Sequence, residues 1–283
     1  MIPEVSDLPA GWPVESAGPE TRLRRRVRRL FTAENARLFV ELTRAEMKAA
    51  DHNSLLGALW SLLAPFVMLV AMYLVFRNRF GGDVKAYPLY LLIGISLVNY
   101  FVTTTRYLIT ILFGHRSLLL NTTVPRETVV ASQVAVHSLK LLIELALCSA
   151  FSVWYGLFSP TRALEAVPLL IGFVALTAGV GLILSLAHSF ARDVEHIWSL
   201  ISRLLLFVTP VFYTVESLPA VTRFFVSWLN PLTPFLTALR SLLVAGSPAE
   251  PVAYAYAMFM SLVVFGVGYA AFLRLESAAL ERA

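Results

Sequence analysis

Three ionisable side chains stand inside long apolar runs: Lys140, Glu144 and Arg203. On insertion scales a charge at the centre of a bilayer costs about 2.5–3.5 kcal/mol. Each must therefore face protein, pair with another charge, or line a wet path. Lys140 and Glu144 are four residues apart and share one helix face. The simpler expectation is a structural ion pair between them, extended to Arg203, that fixes helix packing. The alternative is that Arg203 or Lys140 meets an anionic headgroup of a ligand. Other chemistry is sparse. His52, His115, His137, His188 and His196 are scattered. Only His188 and His196 are neighbours, and a helix break is predicted between them. There is no His-Glu pair of the zinc-protease type, no Gly-x-Ser-x-Gly and no Gly-x-x-x-x-Gly-Lys-Ser/Thr phosphate loop. If ATP is used, a separate subunit must bind it.

The elements that position these charges are membrane helices. Of 283 residues, 58% are hydrophobic and 14% charged, against about 25% charged in a soluble domain. Mean hydropathy is +0.72. The single cysteine, Cys148, excludes a disulfide framework within the chain. Glu4, Asp7, Glu15 and Glu20 interrupt the first 20 residues, so no cleavable signal peptide is expected. The net charge of +5 does not point to nucleic acid, because the basic residues fall where membrane topology would put them.

Residues 1–34 read as a disordered tail carrying Arg22, Arg24, Arg25, Arg26, Arg28 and Arg29, a topology signal that also suits anionic headgroups. Residues 35–52 read as an amphipathic interface helix. Arg37, Glu41, Arg44 and Lys48 lie on one stripe, and Leu38, Phe39, Leu42, Ala45 and Ala49 on the other. Six spans follow within 53–275: 53–76, 88–113, 129–158, 166–189, 197–213 and 252–273. Gly172, Gly179 and Gly181 permit close helix contact in the fourth. Residues 276–283 form a short tail.

Residues 209–247 cannot cross as one helix. The longest uncharged run after Arg223 is 224–239, broken by Asn230-Pro231 and by Pro234. A span needs about 20 apolar residues. Two short helices, 218–229 and 232–244, are expected to dip in and return. Broken backbone at membrane depth persists only where protein or a wet path covers it. Of the 23 Lys and Arg residues, 14 fall in loops on the N-terminal side and six on the other, with Arg106, Lys140 and Arg203 in helices. The positive-inside rule then puts both termini in the cytoplasm and the hairpin on the outer side. On that topology Asn121-Thr122-Thr123 is a chance match to a glycosylation site. The cytoplasmic surfaces open to an ATP-binding partner are the amphipathic helix, the loop 115–127 stiffened by Pro125, and the turn 188–196.

The order of parts carries a resemblance. An amphipathic helix leads into SLLGALWSLLAPFVMLVAMYLVF. Then come Pro125-Arg126-Glu127, Arg192-Asp193-Val194, Thr209-Pro210-Val211-Phe212-Tyr213, Leu218-Pro219, Asn230-Pro231 and Arg240. Over residues 35–275 this resembles the membrane subunits of ABC-2 type polysaccharide exporters, which move O-antigen, capsule and teichoic acid chains. The resemblance implies an all-α integral membrane fold of the inner membrane. It implies half of a homodimeric channel, with two cytoplasmic subunits holding ATP and Mg and no cofactor in this chain. The substrate would be a lipid-linked polysaccharide. It implies ATPase contacts at Arg44, Lys48, Arg116, Asn121, Pro125, Arg126, Glu127, Arg192 and Asp193. It implies a sugar path and outer gate at Trp60, Tyr100, Phe212, Tyr213, Phe224, Phe225, Trp228, Asn230 and Pro231. The arginine-rich extension, Lys140 and Arg203 depart from the family pattern. Two other readings are a drug or small-lipid exporter of the same fold, and a membrane enzyme acting on lipid-linked sugar. Against the enzyme stands the lack of clustered acids or histidines.

Overall fold

The computed structural model describes residues 32–51, 59–81, 84, 86–114 and 125–282. The tail 1–31, Arg116, Asn121 and the side chain of Trp60 lie outside the described residues. Among the described residues the regular structure is all helical: α1 (Ala33–Asp51), α2 (Leu59–Phe80), α3 (Tyr87–Ile109), α4 (Arg126–Trp154), α5 (Pro160–Phe190), α6 (Asp193–Val208), α7 (Ala220–Trp228), α8 (Leu232–Arg240) and α9 (Pro251–Arg282). Short turns add Ile111–Gly114, a 3-10 turn Val215–Ser217 and a π-type turn Ser241–Ala245.

Local chemistry sets most boundaries. Pro160 and Pro251 open α5 and α9 at the first helical position, where the missing N–H costs nothing. Pro125, extended at φ −63° and ψ 130°, stands just before α4. Asp193 and Glu195 lie in the first turn of α6, where the helix dipole favours negative charge. Four helices, α3, α4, α5 and α9, are long and apolar enough to cross a membrane, so the chain is a multi-pass membrane protein. The 16 residues of α6 reach only about 24 Å, because Pro210 disfavours helix at Thr209. That helix ends five residues before the expected 213. The expected tail 276–283 instead continues as helix through Arg282.

Helices α3, α4 and α5 run antiparallel in turn, and α9 runs parallel to α5. One end gathers Leu42 of α1, Leu108 of α3, Val129 and Val130 of α4, Leu182 and Leu186 of α5 and Phe272 of α9 into a single apolar cluster. The opposite end holds the 3-10 turn, α7 and α8. There Ser152 Oγ at the end of α4 donates to the Leu243 carbonyl (3.0 Å). Tyr256 Oη near the start of α9 donates to the Trp228 carbonyl (2.6 Å). The α5–α9 contact is the closest between long helices. A Cβ at Gly179 would stand 2.7 Å from the Phe265 backbone, and one at Gly268 would stand 2.5 Å from the Gly179 carbonyl oxygen. Small residues let the two backbones touch, as the glycine spacing of α5 predicts.

Candidate functional site

The break after α6 is bonded by side chains at every carbonyl from residue 210 to 213. Residues 210–213 leave helical geometry, and their four carbonyls have no helical partners. Each finds a side-chain donor. Arg240 Nη1 donates to the Pro210 carbonyl (2.5 Å) and Nη2 to Val211 (2.6 Å). Tyr87 Oη donates to Phe212 (2.9 Å) and Tyr90 Oη to Tyr213 (2.9 Å). The remaining guanidinium bonds run from Nε and Nη2 to the Tyr90 carbonyl at 3.1 and 2.9 Å. The Arg240 cation stacks 3.3 Å from the Tyr90 ring centroid. Its five donors in a fixed fork suit several carbonyls at once. Arg240 is 5% exposed and among the described residues has no carboxylate partner. The site depends on Gly94, since a Cβ there would meet Arg240 Nη2 at 2.6 Å and Val211 Cγ1 at 3.0 Å.

Asn230 completes the hairpin. Its Nδ2 donates to Thr209 Oγ1 (2.9 Å), and its Oδ1 accepts the Leu232 N–H (3.0 Å) at the start of α8. Asn230 is buried and Pro231 follows it into the first turn of α8. Tyr213 Oη donates toward the Phe207 and Val208 carbonyls (3.2 and 3.1 Å), closing the end of α6. The rule that broken backbone needs a protein cover is met by residues from α3 and α8, which local sequence reading did not single out as donors. The usable signal was an arginine in an apolar helix with no acid nearby.

The predicted aromatics divide. Tyr100 is buried, within 3.0 Å of Ser138 Oγ and against Phe173. Phe212 is buried and stacked on Phe76 at 4.5 Å. Both belong to the core of this chain. Phe224, Phe225 and Trp228 lie exposed on α7, and Tyr213 is half-buried.

The three charges expected inside spans do not assemble. Lys140 and Glu144 form no ion pair, and Arg203 has no ion-pair partner among the described residues. Glu144 is buried while Lys140 is half-exposed. The expected structural pair is therefore corrected: the spacing brings the two Cβ atoms onto one face, but packing sends the side chains to different surroundings. Arg203 is exposed on α6 at the mouth of a cavity of about 390 Å³, shared with Pro65 and Met68 of α2 and with Ile95 and Asn99 of α3. Ser202 lines the same cavity, buried, with Oγ unbonded.

At the opposite end, Arg44 and Lys48 stand exposed on α1, with Arg44 paired to Glu41 (3.6 Å). Arg126 pairs with Glu276 of α9 at 3.2 Å, joining the start of α4 to the last turns of α9. Glu127 is buried and Pro125 half-buried beside them. Arg192 and Asp193 are exposed at the start of α6, near the His188–Glu195 contact of 4.0 Å.

The chain is 25% identical over 241 residues to an O-antigen export system permease protein RfbA of Klebsiella pneumoniae, covering 84% of this chain and 92% of the relative. A second Klebsiella pneumoniae protein of that name is 26% identical over 210 residues, covering 74% and 81%. One from Myxococcus xanthus is 25% identical over 208 residues, covering 72% and 79%. The ABC-2 type transporter family matches residues 37–244, from α1 to the end of the hairpin. A membrane subunit of this kind carries no nucleotide site and implies an ATP-binding partner. The chain belongs to the ABC-2 type transporter family, as a non-catalytic permease subunit.

Proposed function

We propose that the protein exports a lipid-linked polysaccharide across the inner membrane, as one of two identical permease subunits driven by two copies of a cytoplasmic ATPase. The observation that carries this reading is the similarity to O-antigen export permeases, which covers 84% of this chain and 92% of one relative. In this reading α2 and α6 join the four long helices as spans, both termini are cytoplasmic, and α7–α8 is a re-entrant hairpin on the outer side. The α1 end faces the ATPase through Arg44, Lys48, Arg116, Asn121, Pro125, Arg126, Glu127, Arg192 and Asp193.

The geometry of Arg203 supports a wet path. It lies ten residues into α6, about 15 Å from that helix's start. An exposed cation at that depth is costly in lipid. The same helix leaves Ile197, Leu200, Leu204 and Phe207 exposed. A second copy covering α2 and α6 would bury those side chains and enclose the Arg203 cavity. The cation would then face the phosphate of the passing carrier lipid.

Deleting the gene tests the reading. Lipid-linked polymer should build up inside the cell and surface polymer should disappear. Unchanged surface polymer without build-up would refute it.

A further inference from the structure

A second cavity, of about 360 Å³, lies at the hairpin end between the 3-10 turn, α7, α8 and the start of α9. Its size sits at the small end of ligand pockets, enough for a compact ring but not for a polymer. One wall is aromatic. Trp228 and Tyr256 meet edge to face at 4.9 Å, and the Tyr256 hydroxyl is committed to the Trp228 carbonyl, so the pair is held rigid. Trp228 remains 41% exposed.

The polar lining combines two carboxylates with one guanidinium and the hydroxyls of Ser227, Thr233, Thr237 and Ser241. Glu216 and Glu250 line it, and neither forms an ion pair among the described residues. Arg223 is the one cation in the lining, and its Nη2 is spent on the Glu216 and Leu218 carbonyls at 2.8 and 3.1 Å. The Thr237 and Ser241 hydroxyls donate back to their own helix. Thr233 also lines the cavity. It is 2% exposed and its Oγ1 has no partner, a buried polar atom left unsatisfied unless a ligand reaches it.

A complementary ligand has one apolar face for the indole and a rim of O–H or N⁺–H donors for two carboxylates and a buried hydroxyl. A pyranose has that shape. We propose that this cavity binds a single sugar residue of the exported polymer on the outer side, preferring neutral or free-amino hexoses and rejecting uronic acids. The inference rests on the polymer-export reading and adds a subsite to it.

The test uses the full-length permease with its ATPase in phosphatidylcholine nanodiscs, reading tryptophan fluorescence against glucose, glucosamine, glucuronic acid and glycerophosphoethanolamine. Glucosamine should give a saturable change, glucose a weaker one and glucuronic acid none. Trp228→Phe should remove the signal. Glu216→Gln or Glu250→Gln should weaken glucosamine by about tenfold, roughly 1.4 kcal/mol. No saturable response to any sugar overturns the proposal. So does a response unaltered in the glutamine variants, or glycerophosphoethanolamine matching glucosamine, which would make the cavity a lipid headgroup site. Deletion and binding read separately: polymer build-up without sugar binding refutes the subsite alone.

Discussion

Arg240→Met keeps the length and apolar stem of the side chain and removes every guanidinium donor. Three buried carbonyls, those of Tyr90, Pro210 and Val211, then lose their partners. Each stranded carbonyl costs about 1–3 kcal/mol, and loss of the stack on Tyr90 adds up to about 2 kcal/mol for a desolvated cation–π contact. Against this, the variant no longer buries a charge, which returns several kcal/mol. The balance is a destabilisation of about 3 kcal/mol, about 1 kcal/mol for each of the three stranded carbonyls, with the lost stack and the relieved charge burial taken to offset each other. At about 2–4 °C per kcal/mol for a chain of this size, the melting temperature should fall by about 6–12 °C. Size-exclusion thermostability of the purified transporter measures it directly. Arg240→Lys should fall between wild type and Met, because an ammonium cannot serve three divergent carbonyls. Gly94→Ala should destabilise in the same direction by about 1–3 kcal/mol of overpacking. The Gly94→Ala and Arg240→Met double variant should lose less than the sum, since both act on one contact. An Arg240→Met protein melting within about 2 °C of wild type, with normal export, would refute the reasoning.

Three further outcomes follow from the same geometry. Gly179→Val should separate α5 from α9, because its Cβ would meet the Phe265 backbone at 2.7 Å; folded yield in detergent should drop sharply, and normal yield would contradict the close contact. Glu144→Gln should leave abundance and melting temperature unchanged or raised, because Glu144 forms no ion pair with Lys140 and a buried carboxylate is costly; a clear loss of stability would restore the ion-pair reading. Arg203→Gln should fold normally yet abolish export, while Arg203→Lys retains part of it; full export in the glutamine variant, followed by surface polymer, would remove the cation from the path.

Boundaries were legible where chemistry is local. Asn230-Pro231 and Pro234 predict two short helices over 218–229 and 232–244, and the structure has Ala220–Trp228 and Leu232–Arg240 with a π-type turn beyond. The end of α6 was misplaced by five residues although Thr209-Pro210 carried the signal. The convergence of Tyr87, Tyr90, Gly94 and Arg240 was not legible. It joins residues up to 150 positions apart in sequence, and no periodicity encodes it. Lys140 and Glu144 mark the opposite failure: their spacing is a true local signal, but rotamers follow packing, so adjacency on a helix face did not become a bond. Ring type alone does not separate Tyr100, buried against Phe173, from Trp228 beside a cavity.

The hairpin is therefore tied down rather than hinged at its prolines. Its first helix is bonded to α9 through Tyr256 and Trp228, and the turn after its second helix to α4 through Ser152 and Leu243. These are the same two helices whose opposite ends meet at Arg126 and Glu276. With 29 and 32 residues, α4 and α9 are about 43 and 48 Å of continuous helix. A displacement applied at the Arg126–Glu276 pair is thus delivered to both halves of the hairpin by stiff rods, while the turn at 210–213 is clamped by two tyrosine bonds from α3 and two arginine bonds from the end of α8, which is itself bonded to the Tyr90 carbonyl of α3. Movement of α7 and α8 relative to α3 must break those bonds or carry the first turn of α3 with them. The second route is cheaper, because it keeps every buried carbonyl satisfied.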